Sequence, residues 1–467
     1  MLTCSRRRFC ELSQGLPEIG SSQLAKEIWK CSKRSIRSPG IWSNLSKQVV
    51  SNSPFLTPRD VSVVIQSFAR VGYKDTKMIS AIVPSILKHA TEFSVRELVT
   101  ILSSFRKLEL DKSSSQVFPS SCINLLVNEI SLRSSEWTPI DVPLIANSIA
   151  WFSVFDDHVW KKIGSKTLKM VQSISPLGLS LIVSSYAKVD KRDERVLAAI
   201  SRVFIRPITA HTEAMKQESL AVLINGFAKL DWNSKSLFEY IETELLEILR
   251  QIGPNFFDNQ SKIMILHAFF AHRFRYLETV SETQVWMFES LVDSILASRD
   301  TLSSDQREKL TQIVATGNRF EEIRGSVRRI QTLLVDSEGP KTFQKLARWE
   351  YEVFRILRDK MEVKVKKKRI ANFSVMTFDS PQNNCLVVLN CLGPFQHYMG
   401  STKRTSASWI RREVIRWELE RSLNRQVRFI ELPFYIWNEL KTDKDKIMFL
   451  MARGRQVANN EDSDEVS

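Results

Sequence analysis

Ile65-Gln66-Ser67-Phe68-Ala69-Arg70-Val71 returns along the chain in five further versions. They read Leu102-Ser103-Ser104-Phe105-Arg106-Lys107-Leu108, Ala146-Asn147-Ser148-Ile149-Ala150-Trp151-Phe152, Val183-Ser184-Ser185-Tyr186-Ala187-Lys188-Val189 and Ile224-Asn225-Gly226-Phe227-Ala228-Lys229-Leu230, with a looser His267-Ala268-Phe269-Phe270-Ala271-His272-Arg273. The large central residue falls at 68, 105, 149, 186, 227 and 270, so the intervals are 37, 44, 37, 41 and 43. Self-similarity at such a period marks a stack of supersecondary units.

Working outward, Thr57, Ser94, Thr138 and Ser175 each stand eleven residues before the central slot. A hydroxyl there accepts an otherwise orphaned N–H at a helix start. Asp60, Glu97 and Asp141 follow three residues after their caps, the spacing of a capping box. Pro58, Pro139 and Pro176 take the first helical position, where a missing N–H costs nothing. Amphipathic runs at Met78–Leu87, Val196–Phe204 and Leu237–Leu249 supply a second helix per unit. The expected fold is therefore mainly α, an α-solenoid of helix pairs of about 37–44 residues over 51–300.

Three columns of this alignment carry the functional reading. Ser67, Ser104, Ser148, Ser185 and Gly226 precede the slot and are small enough for helices to approach closely. Two residues after it stand Arg70, Lys107, Trp151, Lys188, Lys229 and His272. A cation there complements a helix C-terminus; a row of them also suits successive phosphates of one strand. Two residues before the slot stand Gln66, Ser103, Asn147, Ser184, Asn225 and Ala268, plain helix surface or, alternatively and Ala268 aside, base-reading amides and hydroxyls.

The 467 residues carry 67 Lys and Arg against 52 Asp and Glu, a net +15, which attracts polyanions. Fourteen Gly and fifteen Pro are too few for a turn-dense β fold. No apolar run is long enough to span a membrane. Six cysteines without a C-x-x-C read as free thiols. Residues 1–50 hold nine basic residues, nine serines and three glutamates, the composition of an organellar transit peptide, mitochondrial rather than plastid, or of a disordered basic arm. Residues 301–363 leave the repeat register and read as connecting, capping helices, with Gln306–Thr316 and Pro340–Met361 helical. Residues 456–467 form an acidic tail.

Between 364 and 455 eighteen basic residues face eight acidic ones, so +10 of the total +15 lies in this fifth of the chain. Lys364, Lys366, Lys367, Lys368 and Arg369 lead into an alternating strand at Phe373–Phe378. Cys385–Leu389 is a continuous apolar strand of the kind covered on both faces. Gly393-Pro394 turns the chain, Ser406–Leu423 reads as a helix, Val427–Leu432 as a third strand, and Phe434–Leu440 as another helix. The order β-β-α-β-α describes a small α/β domain.

Gly393-Pro394-x-x-His397-Tyr398, the basic helix and Val427-Arg428-Phe429-Ile430-Glu431-Leu432-Pro433-Phe434-Tyr435-Ile436-Trp437 resemble the RAP domain over about residues 370–450. That domain is abundant in apicomplexan parasites and occurs in the FAST-kinase-like proteins of animal mitochondria. The resemblance implies helical repeats upstream, a fold similar to the PD-(D/E)xK nuclease core, and a role in binding organellar RNA during processing, stability, translation or ribosomal RNA assembly. A nuclease of this type needs carboxylates for a divalent cation. The positions matching the family's acidic residues are Met376, Asn390 and Leu392, with Asp379 close by and Glu431 on another strand. No catalytic residue, metal ligand or cofactor is expected.

Phosphate-binding loops and zinc or serine hydrolase motifs are absent from the sequence. The reading is thus a non-catalytic mitochondrial RNA-binding protein, its partner a single-stranded transcript or ribosomal RNA. The alternatives are a mitochondrial-ribosome component or assembly factor, and a nuclease. The candidate RNA-binding residues are Lys364, Lys366, Lys367, Lys368, Arg369, His397, Arg404, Arg411, Arg412 and Arg416 in the α/β domain, with Arg70, Lys107, Lys188 and Lys229 in the repeats. Trp409, Trp417, Tyr398 and Trp437 are aromatic candidates for stacking on bases, the last and Trp417 better suited to a core.

Overall fold

Thr57 and Ser94 close capping boxes with Asp60 and Glu97, and Ser175 accepts from the Gly178 amide, so three of the four sequence-predicted caps start helices as read. At the fourth, Thr138 does donate to Asp141, but regular helix begins at Asp141 itself. In this computed structural model the described residues are 20–108, 120–205, 217–232, 234–273, 280–298, 302–317, 320–335, 347–370, 373–380 and 385–458.

The helices are α1 (Ser21–Lys33), α2 (Pro39–Asn52), α3 (Pro58–Val71), α4 (Thr76–Lys88), α5 (Val95–Lys107), α6 (Ser120–Leu132), α7 (Asp141–Trp151), α8 (Asp157–Met170), α9 (Pro176–Lys188) and α10 (Glu194–Ile205). They continue as α11 (Gln217–Lys229), α12 (Lys235–Gln251), α13 (Asn259–Ala268), α14 (Glu282–Ala297), α15 (Ser304–Gly317), α16 (Arg324–Val335) and α17 (Arg348–Arg355). The chain falls into two compact units: the first ends at Val203, except that Asp190–Arg192 belong with the second.

In the first unit the odd helices α1, α3, α5, α7 and α9 pack in sequence order, and α2, α4 and α6 form a parallel row behind them. Phe68, Phe105, Ile149 and Tyr186 are each at most 1% exposed, and Ser67, Ser104, Ser148 and Ser185 are buried beside them. The small column therefore does what helix–helix approach requires. At Gly178 a Cβ would lie 2.9 Å from Pro143 Cγ and 2.8 Å from Ile174 Cγ2, so α7 and α9 meet over a glycine.

Two expectations about extent differ in part from the helices observed. Of residues 1–50, read as a leader, 1–19 lie outside the described residues, whereas from Ser21 onward α1 and α2 form a helix pair, and α1 places buried Cys31 thirty-seven residues before Phe68. The signal was missed because Gly20, at the cap, has no hydroxyl. Residues 301–363 read as outside the register, yet Ser303 and Gln306 close a cap and α15 places buried Val314 forty-four residues after Phe270. In the second unit α11, α13 and α15 form one row and α12, α14 and α16 another. Of the helix expected over Pro340–Met361, Arg348–Arg355 is α-helical and runs into a π-turn, Ile356–Lys360; residues 336–346 lie outside the described ones.

The second unit ends in a four-stranded sheet, β1 (Lys366–Ile370), β2 (Phe373–Ser380), β3 (Cys385–Leu392) and β4 (Val427–Pro433), in that spatial order. β1 and β2 pair antiparallel, as do β2 and β3, whereas β3 and β4 are parallel, joined by α18 (Ser406–Leu423). α19 (Phe434–Glu439) and α20 (Asp443–Ala458) follow. One sheet face packs Leu386, Val388, Val427 and Phe429 on Ile415 and Leu419 of α18; the other packs Val387, Leu389, Ile430 and Leu432 on Val353, Ile356, Trp437 and Leu450. Every residue of β3 is buried, as its unbroken apolar run predicts. From Lys366 the basic run is itself a strand, which an unbroken row of charges, without alternation, concealed. α18 also packs against α15, so the α/β domain supplies the next helix of the odd row.

Candidate nucleic-acid interface

In the first unit Arg70, Lys107, Trp151 and Lys188 are exposed on the last turns of α3, α5, α7 and α9. Successive odd helices stack, so these residues form one row. The Arg70 guanidinium donates back to Ser32 Oγ of α1 at 3.1 Å. Lys188 Nζ lies 4.2 Å from the centroid of the Trp151 ring. The Trp–Lys contact follows from their shared column, since stacking brings neighbouring members of a column together. Gln66, Asn147 and Ser184 are half-buried and Ser103 is buried, so that column lies between helices rather than facing outward.

In the second unit Lys229 ends α11 and is exposed. Although the residue as a whole is exposed, protein around its ammonium, and then the charge of Lys309, hold that group below the usual lysine range, against Asp305, Asp190 and Glu308. The Lys229 carbonyl accepts from the Tyr398 hydroxyl at 2.7 Å and from Ser406 Oγ at 3.0 Å, and the Met399 amide donates to the Asp190 carbonyl at 2.7 Å. Tyr398 is therefore a clasp on a helix end, not a stacking platform; it is 1% exposed. Burial pushes the Asp190 carboxyl up to about 6, with Lys229 opposing.

His397 is buried too. Its Nδ1 meets the Gly393 carbonyl at 3.1 Å and its ring packs on Tyr435 and Phe434, so the structure makes it a turn residue rather than a surface contact. Burial lowers its pKa.

The arginines of α18 divide by face. Arg412 is 3% exposed and lies 5.1 Å from the Phe429 centroid; Arg411 stands over Phe373 at 5.1 Å and Arg416 over Phe429 at 5.3 Å. Arg416 also pairs with Glu413 at 3.2 Å. Arg404 pairs with buried Glu431, and Arg412 NH1 reaches the same Oε1 at 3.5 Å. Desolvation is the first cause lowering the pKa of Arg411 and of Arg412. These groups therefore do not form the open basic helix face that the sequence suggested; they line the space between α18 and the ends of β3 and β4.

On β1, Lys364 just before the strand, Lys366 and Lys367 are exposed and Lys368 half-buried; the Arg369 side chain lies outside the described residues. Lys367 Nζ sits 4.1 Å from the Phe354 centroid and 5.1 Å from that of Tyr351. Lys366 reaches Asp379 at 3.5 Å, and Arg425 reaches the same carboxylate at 3.0 Å. The hydrogen bond from Arg425 is the largest cause holding Asp379 below the usual carboxylate range. Trp437 is core, donating Nε1–H to Glu352 at 3.0 Å, while Trp409 and Trp417 are half-buried. The side chains of His272 and Arg273 lie outside the described residues.

Met376 packs in one apolar layer and Leu392 is buried. Asn390 is buried opposite Glu431 in the β3–β4 register. Among the described residues no three His, Cys, Asp or Glu side chains gather as metal ligands. Cys31, Cys122, Cys385 and Cys391 are buried free thiols. No described helix is long and apolar enough to cross a membrane.

No curated protein matches the chain. Residues 18–206, which run from just before α1 to the end of α10 and include Arg70, Lys107 and Lys188, are similar to the family described as RNA-editing substrate-binding complex 6 protein.

Proposed function

We propose that this chain holds single-stranded RNA within a mitochondrial RNA-handling assembly, of the RNA-editing type, without cutting it. The observation that carries the reading is the row of exposed cations on the last turns of α3, α5 and α9, inside the stretch similar to an RNA-editing substrate-binding family. The helix pairs act as an α-solenoid that presents a cation at three units, with Trp151 in the same place at a fourth, and the RAP-like α/β domain adds a second basic surface along β1. Met376, Asn390 and Leu392, where a related nuclease carries acids, support binding rather than hydrolysis.

Fluorescence anisotropy of the full chain with a labelled single-stranded oligoribonucleotide, repeated over a salt series, tests this. Each phosphate contact contributes about 0.7 to the slope of log K against log salt for single strands. Arg70→Gln, Lys107→Gln and Lys188→Gln together are expected to flatten the slope by about 2. Salt-dependent binding with an unchanged slope rejects the ladder.

A further inference from the structure

The row on the first unit begins one helix earlier than the sequence alignment shows. Cys31 holds the slot in α1, so Lys33, two residues on, is the member of the cation column there, and it is exposed. Its Nζ lies 5.5 Å from the centroid of the Trp29 ring. Ser32 Oγ donates to the Trp29 carbonyl and accepts from the Arg70 guanidinium, which ties this pair to the next member of the row. The column on α1, α3, α5, α7 and α9 thus reads Lys33, Arg70, Lys107, Trp151 and Lys188.

At both ends of this row a column lysine stands over an exposed indole, Lys33 over Trp29 and Lys188 over Trp151. Tryptophan is highly buried on average, yet Trp29 is 42% exposed and Trp151 39%. The other three tryptophans of this unit, Trp42, Trp137 and Trp160, are core residues, and each donates its Nε1–H to a backbone carbonyl. Among the described residues neither Trp29 nor Trp151 finds an acceptor for its Nε1–H, so packing and hydrogen bonding do not account for these two. Of the acids near these helix ends, Asp75, Asp156 and Asp193 cap the second helix of their pairs, and Glu27 pairs with Lys30 at 2.7 Å. Asp190 belongs with the second unit.

We infer that Trp29 and Trp151 each stack a base of single-stranded RNA, while Lys33, Arg70, Lys107 and Lys188 take its phosphates. A cation over the ring holds each indole in place, and the area left open is what a base would cover. Every base has a π-face, so such platforms tolerate sequence while adding affinity that no charge supplies. The inference rests on the RNA-binding reading above and deepens it.

An oligouridylate and an abasic ribose-phosphate strand of equal length are titrated against the full chain, Trp29→Leu, Trp151→Leu and the double variant. The two strands present the same phosphates and differ only in what can stack. We expect the unaltered chain to bind the base-bearing strand about a hundredfold tighter, each single variant to lose about tenfold and the double variant nearly all of that advantage. Affinity for the abasic strand should stay the same in every variant, which also reports that the variants are folded. The salt slope should be unchanged, since an uncharged stack displaces no counterion. Equal binding of the two strands by the unaltered chain overturns the platforms while leaving phosphate binding intact. A variant that keeps the full advantage overturns the assignment for that tryptophan. One that weakens both strands alike overturns it too, because the indole then only positions its lysine. Failure of both strands to bind the unaltered chain removes the RNA-binding reading and this one with it.

Discussion

The Tyr398 hydroxyl donates to the Lys229 carbonyl at 2.7 Å across 169 residues, and Ser406 Oγ donates to the same oxygen. A helix leaves its last carbonyls unpaired, and buried ones need a donor. The turn after β3 and the first residue of α18 each supply one to the end of α11. Tyr398→Phe keeps the ring in its buried place and removes one donor. It is expected to lower stability by about 1 kcal/mol, with Tyr398→Phe plus Ser406→Ala costing more than either alone, in urea unfolding followed by circular dichroism.

Acid titration distinguishes two groups of the second unit, buried His267 and half-buried Asp190. His267, bonded through Nε2 to Gln312 at 2.6 Å, is pushed down to about 4, chiefly by burial. Its unfolded value is near 6.5, so its contribution to stability is complete above that pH and is lost as pH falls towards 4. Asp190 is displaced the other way, to about 6, so its contribution is complete below its unfolded value near 3.9 and is lost as pH rises through 6. The two slopes oppose each other between pH 4 and 6. Asp190→Asn, which tolerates the left-handed backbone at φ 50°, should therefore leave stability falling as the solution is acidified. His267→Gln should leave it falling as pH rises. Denaturant midpoints at several pH values check both signs.

Alanine is ordinarily the better helix former than glycine by about 1 kcal/mol. At Gly178 the added methyl would press on Pro143 of α7 and Ile174 at 2.8–2.9 Å. Gly178→Ala is expected to destabilise by about 1–3 kcal/mol, reversing the propensity effect; a raised melting temperature would count against close approach of α7 and α9.

Glu431 is 8% exposed and faces two guanidinium groups. Glu431→Gln leaves both without their anion, and removing one partner of a buried pair costs about 3–5 kcal/mol. We expect a large drop in the urea midpoint.

The sequence made the odd row readable wherever chemistry marks a helix start. Thr57, Ser94 and Ser175 each advertise a cap by a hydroxyl at a fixed distance from an apolar slot. It concealed the units at α1 and α15 because Gly20 has no side chain and because the neighbours of Val314 carry neither the small residue nor the cation of the other units. β3 was legible since a strand covered on both faces has to be apolar throughout. β1 was not, because Lys366–Arg369 shows no alternation and its strand identity comes from pairing with β2. The arginines of α18 were legible as a charge and illegible as a location: Arg412 is charged and buried, a combination set by Glu431 and Phe429 on a strand fifteen or more residues away.

In most stacks of helix pairs a polar terminal helix closes the end, and units can be gained or lost between neighbours over evolution. Here α15 is closed by α18, whose opposite side covers a β-sheet. A duplicated pair inserted at that junction would have to match a repeat on one side and a sheet-bearing helix on the other. Growth of this half of the molecule by tandem duplication is thereby blocked at its end, and length variation among its kin should be found elsewhere in the chain.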